Sequence, residues 1–196
     1  MTDLESLISI DAVSLGVVAD DWRGAVRAAG ALLVDAGVTA PEYTDTMIAT
    51  VETHGPYIVL TPGFALPHAR PDDSVHRTGL SFARLAAPVE FGAGDNDPVT
   101  IVMALAAADS DQHQDALAAL AGVLSDPDRR ARLDTAGTPA EIIDVLSGPV
   151  GVSAAQPEPA AVSDALAAEQ ASAMPVTEDT VPSKGRILTV CGNGVG

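Results

Sequence analysis

The sequence predicts an α/β sandwich in which helices cover most of a sheet. Three observations carry that prediction. Short aliphatic runs suited to strands are interspersed with longer segments whose apolar residues recur every three or four positions. The run over residues 99–106, VTIVMALA, is apolar almost throughout, as a strand covered on both faces requires. The composition is 47 % hydrophobic but only 3 % aromatic, so the core must be built from aliphatic side chains. A chain of 196 residues fits roughly one domain of about 150 residues plus extra sequence, enough to bury a sizeable core.

The elements follow in order. Residues 9–19 begin with partial alternation and hold a short strand. Asp20 and Asp21 offer an N-cap to a helix over 22–36, with Val26, Ala29, Leu32 and Leu33 on one face and Gly37 as its stop. Pro41 stands where a first helical residue tolerates proline, and Tyr43, Met47, Ile48 and Val51 are spaced as an apolar stripe ending near Gly55. A short strand is predicted over 57–60, then a constrained loop or short strand from Gly63 to Pro67. Residues 80–85 and 99–106 read as buried strands, separated by the turn-rich 92–98. Three helices close the pattern, over 111–125, 127–133 and 139–146, with Gly148 as its end.

Composition then changes. Residues 149–184 are rich in Ala, Pro, Ser, Val and acidic side chains, which predicts a flexible linker. Ser163 offers a cap to a short helix over 163–171 within it. Residues 185–196, GRILTVCGNGVG, resume an ordered pattern: a strand over 187–190 runs into a Gly-rich turn at Cys191. Twelve residues of strand and half-loop bury no core, so 149–196 are expected to be disordered or loosely attached to the first domain.

Charge narrows the partners. With 27 acidic and 10 basic residues the formal net charge is −17, and Lys184 is the only lysine. Such a surface argues against nucleic acid and anionic membranes. It suits either simple solubility or a basic protein partner. One cysteine forms no internal disulfide, no basic segment precedes an apolar leader, and the apolar runs fall short of the ~20 residues that span a bilayer. A cytoplasmic protein is expected.

Four histidines are candidates for chemistry: His54, His68, His76 and His113. His68 stands out by its setting, GFALPHARP, where Pro67 and Pro71 restrict the backbone and so hold the imidazole at low entropic cost. A neutral imidazole attacks phosphorus well, and Arg70 lies two residues on, able to neutralise a transferred phosphoryl group. His113 opens a helix in DQHQDALAAL, where exposed amides favour an anion. It reads either as a second phosphoryl contact or as a polar residue facing water. Cys191, followed by Gly192, Gly194 and Gly196, reads as a nucleophile in an amide cradle or as a plain strand-end cysteine. No His-x-x-x-His or Cys-x-x-Cys spacing points to a metal. A Cys–His hydrolase would need Cys191 and His68 in one folded unit, and the linker separates them.

The stretch VETHGPYIVLTPGFALPHARP, residues 51–71, resembles the active-site region of enzyme IIA domains of the mannitol/fructose type. Its GPYIV and PGFALPHARP are nearest the ascorbate-type branch, and His113 resembles the second active-site histidine. The likeness covers about residues 1–148, and ILTVCGNGVG resembles the start of an enzyme IIB domain cut short at Gly196. The resemblance implies a mixed sheet flanked by helices. It implies a phosphotransferase of the phosphoenolpyruvate-dependent sugar system, with no cofactor and no metal. HPr would phosphorylate His68, and His68 would pass the group to an enzyme IIB cysteine, Cys191 were that domain whole. Enzyme IIB would serve solute uptake through the membrane enzyme IIC. His113 would support the phosphorylated state, with Arg70 a weaker candidate, and His54 and His76 match no family position. The alternative is a regulatory module whose phosphorylation at His68 controls a partner. A third reading is a binding domain with an inert His68. The IIB-like tail favours transport, since a regulator needs no downstream cysteine.

Overall fold

A computed structural model of the chain describes residues 4–148. The linker expected over 149–184 and the enzyme IIB-like start expected over 185–196, Cys191 included, lie outside the described residues. The chain opens with a short helix, α1 (Leu4–Leu7), and a 3-10 turn over Ile10–Ala12, neither of which the apolar pattern announces. The strand β1 (Val13–Val17) follows. Helix α2 (Trp22–Asp35) starts at Asp21, whose carboxylate accepts the Gly24 amide at 2.7 Å. It ends where Gly37 takes φ +67°, a left-handed conformation open to glycine without strain. Helix α3 (Glu42–His54) buries Tyr43, Met47, Ile48 and Val51, the stripe its spacing predicts.

The central sheet contains β1, β2 (Val59–Thr61), β3 (Phe64–Ala65), β5 (Phe82–Val89) and β6 (Val99–Val102), in the order β1-β5-β6-β3-β2. β1 and β5 are parallel, as are β3 and β6, while β5–β6 and β2–β3 are antiparallel. The sheet is therefore mixed. A separate antiparallel ribbon pairs β4 (Gly79–Leu80) with β7 (Leu105–Ala106).

Three strands depart from expectation. The one predicted over 57–60 begins only at Val59, because the Val59 amide closes a turn on the Pro56 carbonyl at 3.1 Å. The one predicted over 80–85 breaks at Ser81, whose hydroxyl donates to the Ala29 carbonyl of α2 at 2.7 Å. The run 99–106 leaves the main sheet after Val102 and re-pairs with β4 from Leu105.

Helices α4 (Ser110–Leu124), α5 (Pro127–Thr135) and α6 (Pro139–Ser147) complete the fold. Asp109, Asp126 and Thr138 cap them by accepting backbone amides, and Pro127 and Pro139 occupy first-turn positions where no amide partner is missed.

Strand alternation sorts the core into two layers. Phe64, Leu66, Phe82, Ile101, Met103 and Leu105 pack with the buried residues of α4, α5 and α6. Their neighbours Ala65, Ala83, Val102, Ala104 and Ala106 pack with α2 and α3. At these positions the larger side chains face the α4–α6 layer and mostly alanines face the other, which also takes Val59, Leu85, Val89 and Val99.

Candidate active site

His68 lies three residues beyond β3 and forms a parallel bridge with Leu105 of β7. The Leu66 amide donates to the Ile58 carbonyl at 2.7 Å, and the Leu105 amide donates to the Pro67 carbonyl at 3.0 Å. The loop therefore carries the pairing of β3 onward from both sides. His68 is only 3 % exposed. Its Nδ1 lies 2.8 Å from the Leu66 carbonyl. A carbonyl only accepts, so Nδ1 carries the proton, and Nε2 of the neutral ring keeps its lone pair.

His113 sits in the first turn of α4 and is also 3 % exposed. Its ring centroid is 5.2 Å from that of His68, with the planes inclined by 51°. Of the two readings open from sequence, the water-facing one fails: the ring is buried beside His68. The helix turn that holds it is strongly tied down. Asp109 Oδ1 accepts the Gln112 amide at 2.8 Å, and Asp109 Oδ2 accepts from Gln112 Nε2 at 2.5 Å. The Thr78 hydroxyl donates to Gln112 Oε1 at 2.6 Å and accepts the Ala108 amide at 2.9 Å. Thr78 precedes β4, so the strand ribbon and the start of α4 are linked directly. The Gln112 amide, ahead of every other influence, holds the Asp109 carboxyl below the usual carboxylate range.

Two tyrosines complete the surroundings, and sequence spacing marks neither as functional. The Tyr57 ring meets that of His68 edge-on at 5.6 Å, and its hydroxyl donates to the His68 carbonyl at 3.4 Å. Tyr43, fully buried on α3, places its hydroxyl 2.8 Å from the Leu105 carbonyl and 3.1 Å from both the amide and the carbonyl of Ala69. Its apolar-stripe position signals burial; nothing local signals what the hydroxyl meets.

The remaining candidates stand further out. Arg70 is half-buried on the same loop as His68. His54 is exposed, with Nδ1 3.0 Å from the Thr50 carbonyl and its ring edge-on to Tyr57 at 6.3 Å, so Tyr57 stands between two imidazoles. His76 is exposed, and its amide donates to the Val38 carbonyl at 2.9 Å. Among the described residues, no three His, Cys, Asp or Glu side chains gather as a metal site would need, and no helix is long and apolar enough to cross a membrane.

A pair of buried imidazoles, one with a lone-pair nitrogen and the other at a helix start, is equipped to hold an anion at the first ring. The chain also resembles known proteins. Residues 6–148 match the family described as "Phosphoenolpyruvate-dependent sugar phosphotransferase system, EIIA 2". The ascorbate-specific PTS system EIIA component of Shigella boydii is 37 % identical over 143 residues, covering 72 % of this chain and 93 % of that protein. A PTS IIA domain from Streptococcus pyogenes superposes with TM-score 0.67 at 32 % identity, over 74 % of this chain and 96 % of that one. The enzyme IIAMTL of Escherichia coli, solved in complex with phosphorylated enzyme IIBMTL, superposes with TM-score 0.64 at 27 % identity, over 72 % and 98 %.

Proposed function

We propose a function from the premise that this chain belongs to the EIIA 2 family of the phosphoenolpyruvate-dependent sugar phosphotransferase system: it carries a phosphoryl group on Nε2 of His68. The group comes from the phosphohistidine of HPr and goes to the cysteine of an enzyme IIB. The observation that carries this reading is the pairing of His68 and His113, 5.2 Å apart between ring centroids, with Nδ1 of His68 committed to the Leu66 carbonyl.

The chemistry balances on these atoms. Nε2 of His68 attacks the phosphorus in line, the bond from phosphorus to the donor imidazole breaks, and its electron pair returns to that imidazole. Nδ1 keeps its proton on Leu66, so the ring enters the reaction with the lone pair on the attacking nitrogen. In the second transfer a thiolate attacks the phosphorus, and the pair of the breaking P–N bond returns to Nε2. Such transfers ask for position and charge stabilisation more than for covalent help. His113, at the amide-rich start of α4, supplies both, and Arg70 adds positive charge from the loop.

The solved complex with a phosphorylated IIB partner supports enzyme IIB as the acceptor. We place the carrier in residues 1–148, a tether in 149–184 and the start of an enzyme IIB unit with Cys191 in 185–196, a tether that would raise the local concentration of the acceptor. The pathway then runs from the cytoplasm through enzyme IIB to a membrane enzyme IIC. Ascorbate, named in the curated relatives, is the first solute to test.

The test incubates the chain with phosphoenolpyruvate, enzyme I and HPr and locates the phosphoryl group by mass spectrometry without acid. Label is expected on His68, absent in His68→Ala and acquired about a hundredfold to a thousandfold more slowly in His113→Ala. A folded chain that takes no label refutes the proposal.

A further inference from the structure

We propose that Tyr43 is a positioning residue for His68: its hydroxyl, reaching across from α3, fixes the peptide after His68 so that the imidazole keeps Nδ1 on Leu66 and Nε2 on the reacting side. The inference deepens the reading of His68 as phosphoryl carrier and rests on it for its kinetic arm.

The geometry is specific. A phenol has one proton to donate and lone pairs to accept with. The shortest contact, 2.8 Å to the Leu105 carbonyl, takes the proton. The Ala69 amide, 3.1 Å away, donates to the same oxygen. The hydroxyl thus bridges the residue after His68 to the strand β7 that pairs with His68 itself. Two residues before Ala69, the Leu105 amide holds the Pro67 carbonyl at 3.0 Å. His68 is therefore clamped to Leu105 from both sides: through Pro67 by main chain, and through Ala69 by the Tyr43 hydroxyl.

Without that hydroxyl the second clamp is gone. Pro67 restricts the chain ahead of His68, whereas the peptide after it keeps only the longer contact, 3.4 Å, from the Tyr57 hydroxyl to the His68 carbonyl. The Ala69 amide and Leu105 carbonyl, both in buried residues, would turn toward other partners. Rotation of the peptide after His68 swings the Cα–Cβ vector, which lengthens the contact from Nδ1 to Leu66 and moves Nε2 relative to His113. Misplacement by about 1 Å is enough to slow a positioned reaction about a hundredfold. α3 also supplies Met47 and Val51 to the same buried layer, and those have no polar group to offer the loop.

The experiment compares the full chain with Tyr43→Phe, which keeps the ring, and with Val51→Ala, a destabilising change on the same helix face that touches no loop amide. Nitrogen-15 spectra of the imidazoles, taken well above the ordinary imidazole titration range, report the tautomer of His68. The unaltered chain is expected to show protonated Nδ1 on His68 and a slowly exchanging Ala69 amide. Tyr43→Phe is expected to mix the tautomers and to lower the maximal rate of phosphorylation by HPr roughly tenfold to a hundredfold, with the half-saturating HPr concentration little changed. Val51→Ala should lower stability and leave both readouts as they were. Wild-type tautomer and rate in folded Tyr43→Phe overturn the proposal. So does a fast-exchanging Ala69 amide in the unaltered chain, a result that stands even where the variant does not fold. Failure of the unaltered chain to take label refutes the carrier reading instead, and the tautomer comparison still decides the role of Tyr43.

Discussion

At His113 the site depends on a helix turn whose cap is itself titratable. The Gln112 amide holds the Asp109 carboxyl below its usual range, so the folded state binds that proton less readily than the unfolded one. The stabilisation is fully present above the unfolded value of about 3.9 and is lost as the pH falls through the lower folded value. Asp109→Asn keeps a side-chain acceptor at the cap but removes the titration. The stability of the native chain relative to Asp109→Asn, read by urea unfolding from neutral pH downward, is expected to hold steady and then fall below about pH 4. A pH-independent difference would sink the assignment. His68 was legible in the sequence because two prolines stiffen its loop within nine residues. His113 was only half legible: its helix start showed, but its burial beside a ring 45 positions earlier did not. Tyr43 showed as core and nothing more, since its hydroxyl finds partners 26 and 62 residues away. No local pattern encodes such a contact.

At the level of elements, the helices were the most legible part. Asp21, Gly37, Gly55, Pro127 and Pro139 mark their ends through local backbone chemistry. The strands were less so, because an apolar run such as 99–106 looks the same whether the chain stays in one sheet or crosses to another. The crossing of α2 and α3 was not legible either, and it sets how close Tyr43 comes to the loop. A Cβ added at Gly30 would lie 2.2 Å from Thr44 Oγ1, 2.7 Å from Cγ2 and 2.9 Å from Cβ. Overpacking of this kind costs about 1–3 kcal/mol, against roughly 1 kcal/mol returned by alanine's helix propensity. Gly30→Ala is therefore expected to destabilise by up to about 2 kcal/mol in denaturant unfolding. Because Thr44 adjoins Tyr43, it should also slow phosphorylation of His68. Adding Thr44→Ala removes Oγ1 and Cγ2 but leaves Cβ, so the double variant should recover part of the loss, with a coupling of about 0.5–1 kcal/mol. Strictly additive effects would mean that the two helices do not meet there.

For the whole molecule, the question is where the folded unit closes. Among the described residues the last buried side chain of either layer is Leu146, and the family match ends at residue 148. The last helix, α6, presents its final carbonyls to a residue from within the same unit. Arg129 Nε donates to the Val145 carbonyl at 3.0 Å, and Nη2 donates to Val145 and, at 3.2 Å, to Leu146. The guanidinium thereby satisfies carbonyls that a helix end leaves open and places positive charge at the negative end of its dipole. The end of α6 thus finds side-chain donors among the described residues. A chain ended at Gly148 is therefore expected to melt within about 2 °C of the full chain and to accept phosphoryl on His68 at the same rate. Arg129→Met, which keeps much of the apolar stem but removes the donors, is expected to destabilise by about 2–3 kcal/mol, roughly 5–10 °C in a unit of this size. A shortened chain that melts as early as Arg129→Met would place part of the folded unit beyond Gly148, and the boundary drawn between carrier and tether would have to move with it.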